Sequence, residues 1–151
     1  MNPQHDPTRS PVWDKFWSKR PEVGDVYPAV SDIVAEILRT TPQPRGLCFL
    51  EVGAGTGREG HRLAELGARV ILLDISWEAL RLSRTVSDLP RLVRGDALRA
   101  PFADGTFDFL YHQGLLEHFR DPMPLLRENR RLLKPGGYLL VDVPQRYHLY
   151  T

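Results

Sequence analysis

LCFLEVGAGTGREGHRLAELGARVILLDIS, Leu47 to Ser76, holds two apolar runs separated by a glycine-rich turn and an amphipathic stretch. The first run ends in an acid, Glu51. Gly53, Gly55 and Gly57 follow at alternate positions, and the second run closes on Asp74. Period and punctuation together predict strand, turn, helix, strand, the opening unit of an α/β fold with a parallel sheet. In such sheets ligands lie over the carboxyl ends of the strands, where glycines let the backbone approach without a Cβ in the way.

The glycine spacing narrows the ligand. Gly53 and Gly55 fit the first two positions of the dinucleotide pattern G-x-G-x-x-G, but Arg58 occupies the third, and the glycine comes one residue early at Gly57. The third glycine of that pattern lets the helix pack close to the strand. The spacing found here suits a ligand lying across the turn rather than a pyrophosphate on the helix end. Asp74, ending the second strand, is placed to accept both hydroxyls of a ribose and disfavours a ligand carrying a 2′-phosphate. A nicotinamide-dependent dehydrogenase is the reading these features count against.

Further on, the blocks "GDALRAPFADGTFDFLY" and "LLKPGGYLLVDVP" follow "EVGAGTG" and "LLDIS". In this order the four blocks resemble the class I S-adenosylmethionine-dependent methyltransferases, of the type 11-like kind, over Tyr27 to Pro144. The resemblance implies a Rossmann-like doubly wound sheet of strand order 3-2-1-4-5, with S-adenosyl-L-methionine as cofactor. It implies that Glu51 favours the cofactor's amino group, directly or through water. Gly53, Gly55 and Gly57 face methionine and ribose, and Asp74 takes the ribose hydroxyls. Ile75 lies on one adenine face, Asp96 accepts from the adenine amine, and the Ala97 N–H donates to a ring nitrogen. Gln113 and His112, after the fourth strand, stand near the methionine end. The family fold continues beyond a fifth strand with a helix and hairpin. This chain ends at Thr151, so the resemblance leads us to expect a C-terminally incomplete domain that self-associates through an open sheet edge.

Bulk properties set bounds. The chain of 151 residues is long enough for one domain and one core. A net charge of +1 offers no field for nucleic acid or acidic lipid. A single cysteine, Cys48, excludes a disulfide framework and reads as a core thiol. No run reaches membrane-span length, and the polar, proline-rich start lacks a signal-peptide segment, so the expectation is cytoplasmic. No cysteine–histidine cluster suggests a metal.

Residues 1–26 read as an N-terminal arm, disordered to about residue 11, and 27–151 as the cofactor-binding domain. Trp13, Phe16 and Trp17 dock the arm or form a flap over the pocket, with the following segment as loop. Helices are predicted over Ala29–Thr40, Gly57–Leu66 and Ser76–Val86, with a last one carrying Leu125, Leu126, Asn129, Leu132 and Leu133 on one side. Strands are predicted at Leu47–Val52, Arg69–Asp74, "RLVRG", "FDFLYH" and "YLLVDV", with "KPGG" as a turn. Glu117 and His118 read as a structural helix start rather than as a base.

The reaction implied is in-line displacement at an activated methyl, for which alignment is the main requirement. No residue reads as an obligatory catalyst. A small-molecule acceptor is the expectation, against a non-catalytic S-adenosylmethionine-binding or assembly module as the alternative. The cofactor reading predicts that S-adenosylmethionine or S-adenosylhomocysteine binds far more tightly than NAD. Isothermal calorimetry in which NAD binds tighter than either sulfur ligand would overturn it.

Overall fold

A computed structural model of the chain describes residues 9–20 and 32–143. The readings of residues 1–8 and of residues 21–31, including the predicted start of the second helix, lie outside the described residues, as does the segment after Val143. The elements are α1 (Ser10–Ser18), α2 (Ile33–Thr40), β1 (Cys48–Val52), α3 (Arg58–Glu65), β2 (Arg69–Asp74), α4 (Trp77–Arg84), β3 (Arg91–Arg94), β4 (Phe107–Gln113), α5 (Met123–Leu132) and β5 (Leu133–Asp142). A single 3₁₀ turn spans Leu116–His118.

All five strands are parallel, in the order β3-β2-β1-β4-β5. β1 is flanked by β2 and β4, with Leu50 opposite both Ile71 and Leu110. The chain reverses its direction of winding between β1 and β4, and a crevice forms there at the carboxyl ends. Helices cover both faces, so the central strands are apolar without alternation. On one face Ile37 and Leu63 pack on Phe49, Leu72 and Phe109. On the other Leu125 and Leu132 of α5 pack on Leu50, Val52 and Leu110.

Two elements differ from the sequence reading. The "KPGG" segment lies inside β5, where the pairing with β4 shifts register between Phe107 and Phe109. Residues 10–18, read as arm and aromatic cluster, form α1, so Ser10 and Pro11 are already helical. Proline is tolerated in a first helical turn. Trp13, Phe16 and Trp17 stand three and four residues apart, on one helical face. Trp17 is buried against Ala79 and Leu82 of α4. Among the described residues β5 pairs with β4 alone, and Tyr138 and Leu139 are exposed.

The close approach of α3 to the sheet centres on Glu51. Its Oε2 accepts the Gly60 N–H at 3.0 Å and the Tyr111 hydroxyl at 2.9 Å. A Cβ on Gly60 would lie 2.8 Å from that oxygen and would collide with Leu72, so any larger residue would force those side chains to shift. A Cβ on Gly57, whose φ is +68°, would also collide with Leu72. Gly57 and Gly60 therefore do the packing that the dinucleotide pattern assigns to one later glycine. Arg58 points away and pairs with Glu59 at 2.7 Å.

Burial pushes the Glu51 carboxyl up to about 8, against the pull of the Tyr111 hydroxyl and the Gly60 N–H. The Tyr111 hydroxyl is raised well above its ordinary value by the same burial and by the charge of Glu51. The folded state thus favours protonated Glu51. That preference is fully present below the ordinary value of 4.5 and is lost as pH rises through about 8. Glu51→Gln keeps an acceptor for both donors and removes the titration. Urea unfolding at pH 5 and pH 8 should show the wild type losing a few kcal/mol more than the variant across that interval. Equal losses in the two proteins would show that Glu51 ionises freely.

Candidate functional site

The turn after β1 is left-handed at Gly53, Gly55 and Gly57, with φ of 64°, 56° and 68°. This alternation turns the Gly55 N–H toward β2, where Asp74 Oδ2 accepts it at 2.7 Å. The other oxygen of Asp74 accepts the Ser76 N–H at 2.8 Å. One carboxylate therefore joins the turns that follow β1 and β2. Asp74 is 7% exposed. Burial raises its pKa, and the N–H groups of Ser76, Gly55 and Ile75 work in the opposite direction. Each oxygen still has a lone pair after these bonds. The carboxylate can thus accept hydroxyl groups from above while its orientation is held from below.

Above the two turns lies a cavity of about 600 Å³, within the usual range for small-molecule sites. Gly53, Gly55, Asp74 and Ile75 line its floor, with Asp96 and Ala97 from the loop after β3. Asp96 Oδ1 accepts the Leu98 N–H at 2.8 Å, which shapes that loop. Gln113, at the end of β4, lines the far side with Leu115, His118 and Phe119. The structure thus gathers seven of the nine residues singled out in the sequence: Gly53, Gly55, Asp74, Ile75, Asp96, Ala97 and Gln113.

Glu51 and Gly57 do not line the cavity. Glu51 lies below the turn, bonded to Gly60 and Tyr111, and Gly57 is the N-cap of α3 against Leu72. His112 also lies elsewhere. It faces α5, fully buried, with Nε2 3.1 Å from Asn129 Nδ2. Burial lowers its pKa to about 4. The histidine that does reach the cavity is His118, read from the sequence as structural. Its ring meets the Trp13 ring edge to face at 5.0 Å.

Sequence reasoning missed two parts of the wall, Asp142 and Leu115. Asp142, at the end of β5, could have been found only from the strand order, which brings it beside Gln113. Leu115 reaches in because Gly53 lacks a Cβ, which would stand 2.8 Å from Leu115 Cδ1. Trp13, Phe16 and Trp17 close the remaining side from α1. The sequence left docking and a flap over the pocket as alternatives for these aromatics, and the structure has them line the cavity while Trp17 also packs on α4.

The lining has a definite chemical character. Among the described residues it contains three carboxylates, Asp74, Asp96 and Asp142, and no lysine or arginine. A ligand with cationic groups, hydroxyls and a flat apolar ring fits this set. A dinucleotide pyrophosphate would face carboxylates with no lysine or arginine among the described lining residues. S-adenosylmethionine, with its sulfonium, ammonium, ribose and adenine, has the chemistry these residues accept.

Comparison with known proteins agrees. The family model described as a methyltransferase domain matches residues 50–141. The demethylmenaquinone methyltransferase of Corynebacterium kroppenstedtii is 41% identical over 103 residues, covering 68% of this chain and 44% of that protein. The ubiquinone biosynthesis O-methyltransferase of Xanthomonas axonopodis pv. citri is 30% identical over 140 residues, covering 89% of this chain and 56% of that protein. The chain therefore spans about half the length of the curated relatives it matches. The crystal structure of an S-adenosylmethionine-dependent methyltransferase from Mesorhizobium loti superposes with a TM-score of 0.62 at 27% identity, covering 70% of this chain and 51% of that one. Its glycine turn, its strand order and this match over most of the sheet make the chain a member of the class I S-adenosylmethionine-dependent methyltransferase family.

Proposed function

We propose that the cavity binds S-adenosyl-L-methionine and that the protein to which this sheet belongs transfers its methyl group to a small acceptor. The observation that carries this reading is the lining: an acid over the glycine turn, two more acids, apolar walls and, among the described residues, no lysine or arginine. When bound, the cofactor supplies a methyl group already activated by a sulfonium. The residues of this chain have binding and alignment to provide. Asp74 would accept the ribose hydroxyls, with Gly53 and Gly55 leaving room for backbone approach. Ile75 would cover an adenine face, with Asp96 and the Ala97 N–H at the adenine edge. Gln113 would stand at the methionine end.

The acceptor side would be the aromatic wall of Trp13, Phe16 and Phe119, with His118 as the imidazole in reach of the cavity. Such a wall favours a neutral, flat ring over an anion. The names of the two relatives, which concern quinone biosynthesis, support a ring hydroxyl or ring carbon as the methylated group. His118 is the group we would assign to receive a proton where the acceptor carries one. Among the described residues no helix is long and apolar enough to cross a membrane.

Two variants test the cofactor reading. Asp74→Ala should weaken S-adenosylhomocysteine binding by roughly 1–3 kcal/mol, the scale for losing a hydrogen bond to a charged group. It should also lower stability, since the Gly55 and Ser76 N–H groups lose their acceptor. Gly55→Val should abolish binding, because a branched residue cannot adopt the left-handed turn and would fill the cavity floor. Calorimetry on folded variants decides the matter: unchanged affinity in both would place the cofactor elsewhere.

A further inference from the structure

α1 has nine residues and no side-chain cap at its N-terminus. A helix this short is marginal in water without tertiary contacts. It lies outside residues 50–141, the span shared with the family. Its apolar residues wall the cavity, yet its polar attachment runs through Asp14, which faces the turn after β2.

Asp14 Oδ1 accepts the Ser76 hydroxyl at 2.6 Å and, at a longer 3.4 Å, the Glu78 N–H. Oδ2 accepts the Ser10 hydroxyl at 2.8 Å. Ser76 is the N-cap of α4, and its hydroxyl oxygen also accepts the Ala79 N–H at 3.3 Å. Its backbone N–H is the one held by Asp74. Arg94, at the end of β3, closes the arrangement by donating to the Ser10 hydroxyl at 2.9 Å and to the Ile75 carbonyl at 3.2 Å. Ile75 lines the cavity floor. One chain of hydrogen bonds thus runs from Gly55 through Asp74, Ser76 and Asp14 to α1.

We propose that Asp14 is a positioning residue of the cofactor site: it anchors α1 on the α4 N-terminus so that Trp13, Phe16 and Trp17 close the cavity. This rests on reading the cavity as the S-adenosylmethionine site. The charge suits the position, since a carboxylate at a helix N-terminus is favoured by the helix dipole and by its free N–H groups. Burial works against ionisation of Asp14, but the hydrogen bonds from Ser76, Ser10 and Glu78, with the charge of Arg94, hold its carboxyl below the ordinary value. Asp14 acts through Ser76 and α1, because it does not itself line the cavity.

The test compares wild type with Asp14→Ala, Asp14→Asn and Ser10→Ala. S-adenosylhomocysteine affinity is read by calorimetry, and amide hydrogen exchange over residues 10–18 is read without ligand. Asp14→Ala should weaken affinity about tenfold and speed exchange across α1. Asn retains an oxygen that accepts from Ser76, so Asp14→Asn should recover most of both losses. Ser10→Ala, which leaves the Ser76 bond in place, should shift both readouts in the same direction by less. Should Asp14→Ala not fold, wild-type affinity and exchange in Ser10→Ala would overturn the proposal. Asp14→Ala with wild-type affinity and wild-type exchange overturns it directly, as does Asp14→Asn no better than Asp14→Ala. A wild-type protein that binds no S-adenosylhomocysteine would instead overturn the cofactor reading. The exchange measurement, which needs no ligand, would still report whether Asp14 holds α1.

Discussion

The Asp74 carboxylate holds two backbone N–H groups from two different turns, and the crevice depends on that bridge. Gly55 belongs to the turn after β1, and Ser76 opens α4 after β2. The Ala54 N–H, which donates to the Leu73 carbonyl at 3.0 Å, adds a second tie between the turn after β1 and the end of β2. Together these bonds join the two turns into one floor. The carboxylate is held by backbone N–H groups from below while it lines the cavity above. The acid is held in an orientation that a free side chain would reach only part of the time.

A second constraint lies beneath. α3 comes so near β1 and β2 that Gly57 and Gly60 have no room for a Cβ. That nearness delivers the Gly60 N–H to Glu51, which also takes the Tyr111 hydroxyl. The acid one residue before the end of β1 therefore joins helix to sheet from below. The acid that ends β2 joins turn to turn from above. Both are deeply buried, and burial raises the pKa of each. Their neighbourhood is acidic, which is a liability for the fold by itself and an advantage for a cationic ligand.

The walls are of a different kind from the floor. The floor is backbone and carboxylate, set by the central strands. The walls are side chains brought from separate places: Leu115, His118 and Phe119 from the segment after β4, Asp142 from β5, and the aromatics of α1. Parts of a binding site that recur across many substrates would be expected in the floor, and parts that select an acceptor in the walls.

Much of this was legible along the chain. The βαβ unit, the alternation of strands and helices, the glycine turn, Asp74 and the Ser76 cap follow from local signals, whereas the strand order and the placing of Ile75, Asp96, Ala97 and Gln113 came from the family resemblance. The local signals are apolar runs closed by an acid, glycines at alternate positions, and a hydroxyl before a helix. Such signals act over a few residues, so sequence reports them. The destinations of side chains were not legible. His112 and His118 sit six positions apart with similar local contexts. The first points under α5 and the second into the cavity, because a strand alternates its faces and a 3₁₀ turn does not. Glu51 stands one residue before the end of an apolar strand and Asp74 at the end of one, yet only Asp74 lines the cavity, because Gly60 and Tyr111 meet Glu51 first. The helix of residues 10–18 and its bond to Ser76 span 62 positions. Contacts at that separation exist only after the sheet has brought the two segments together, and no local pattern encodes them.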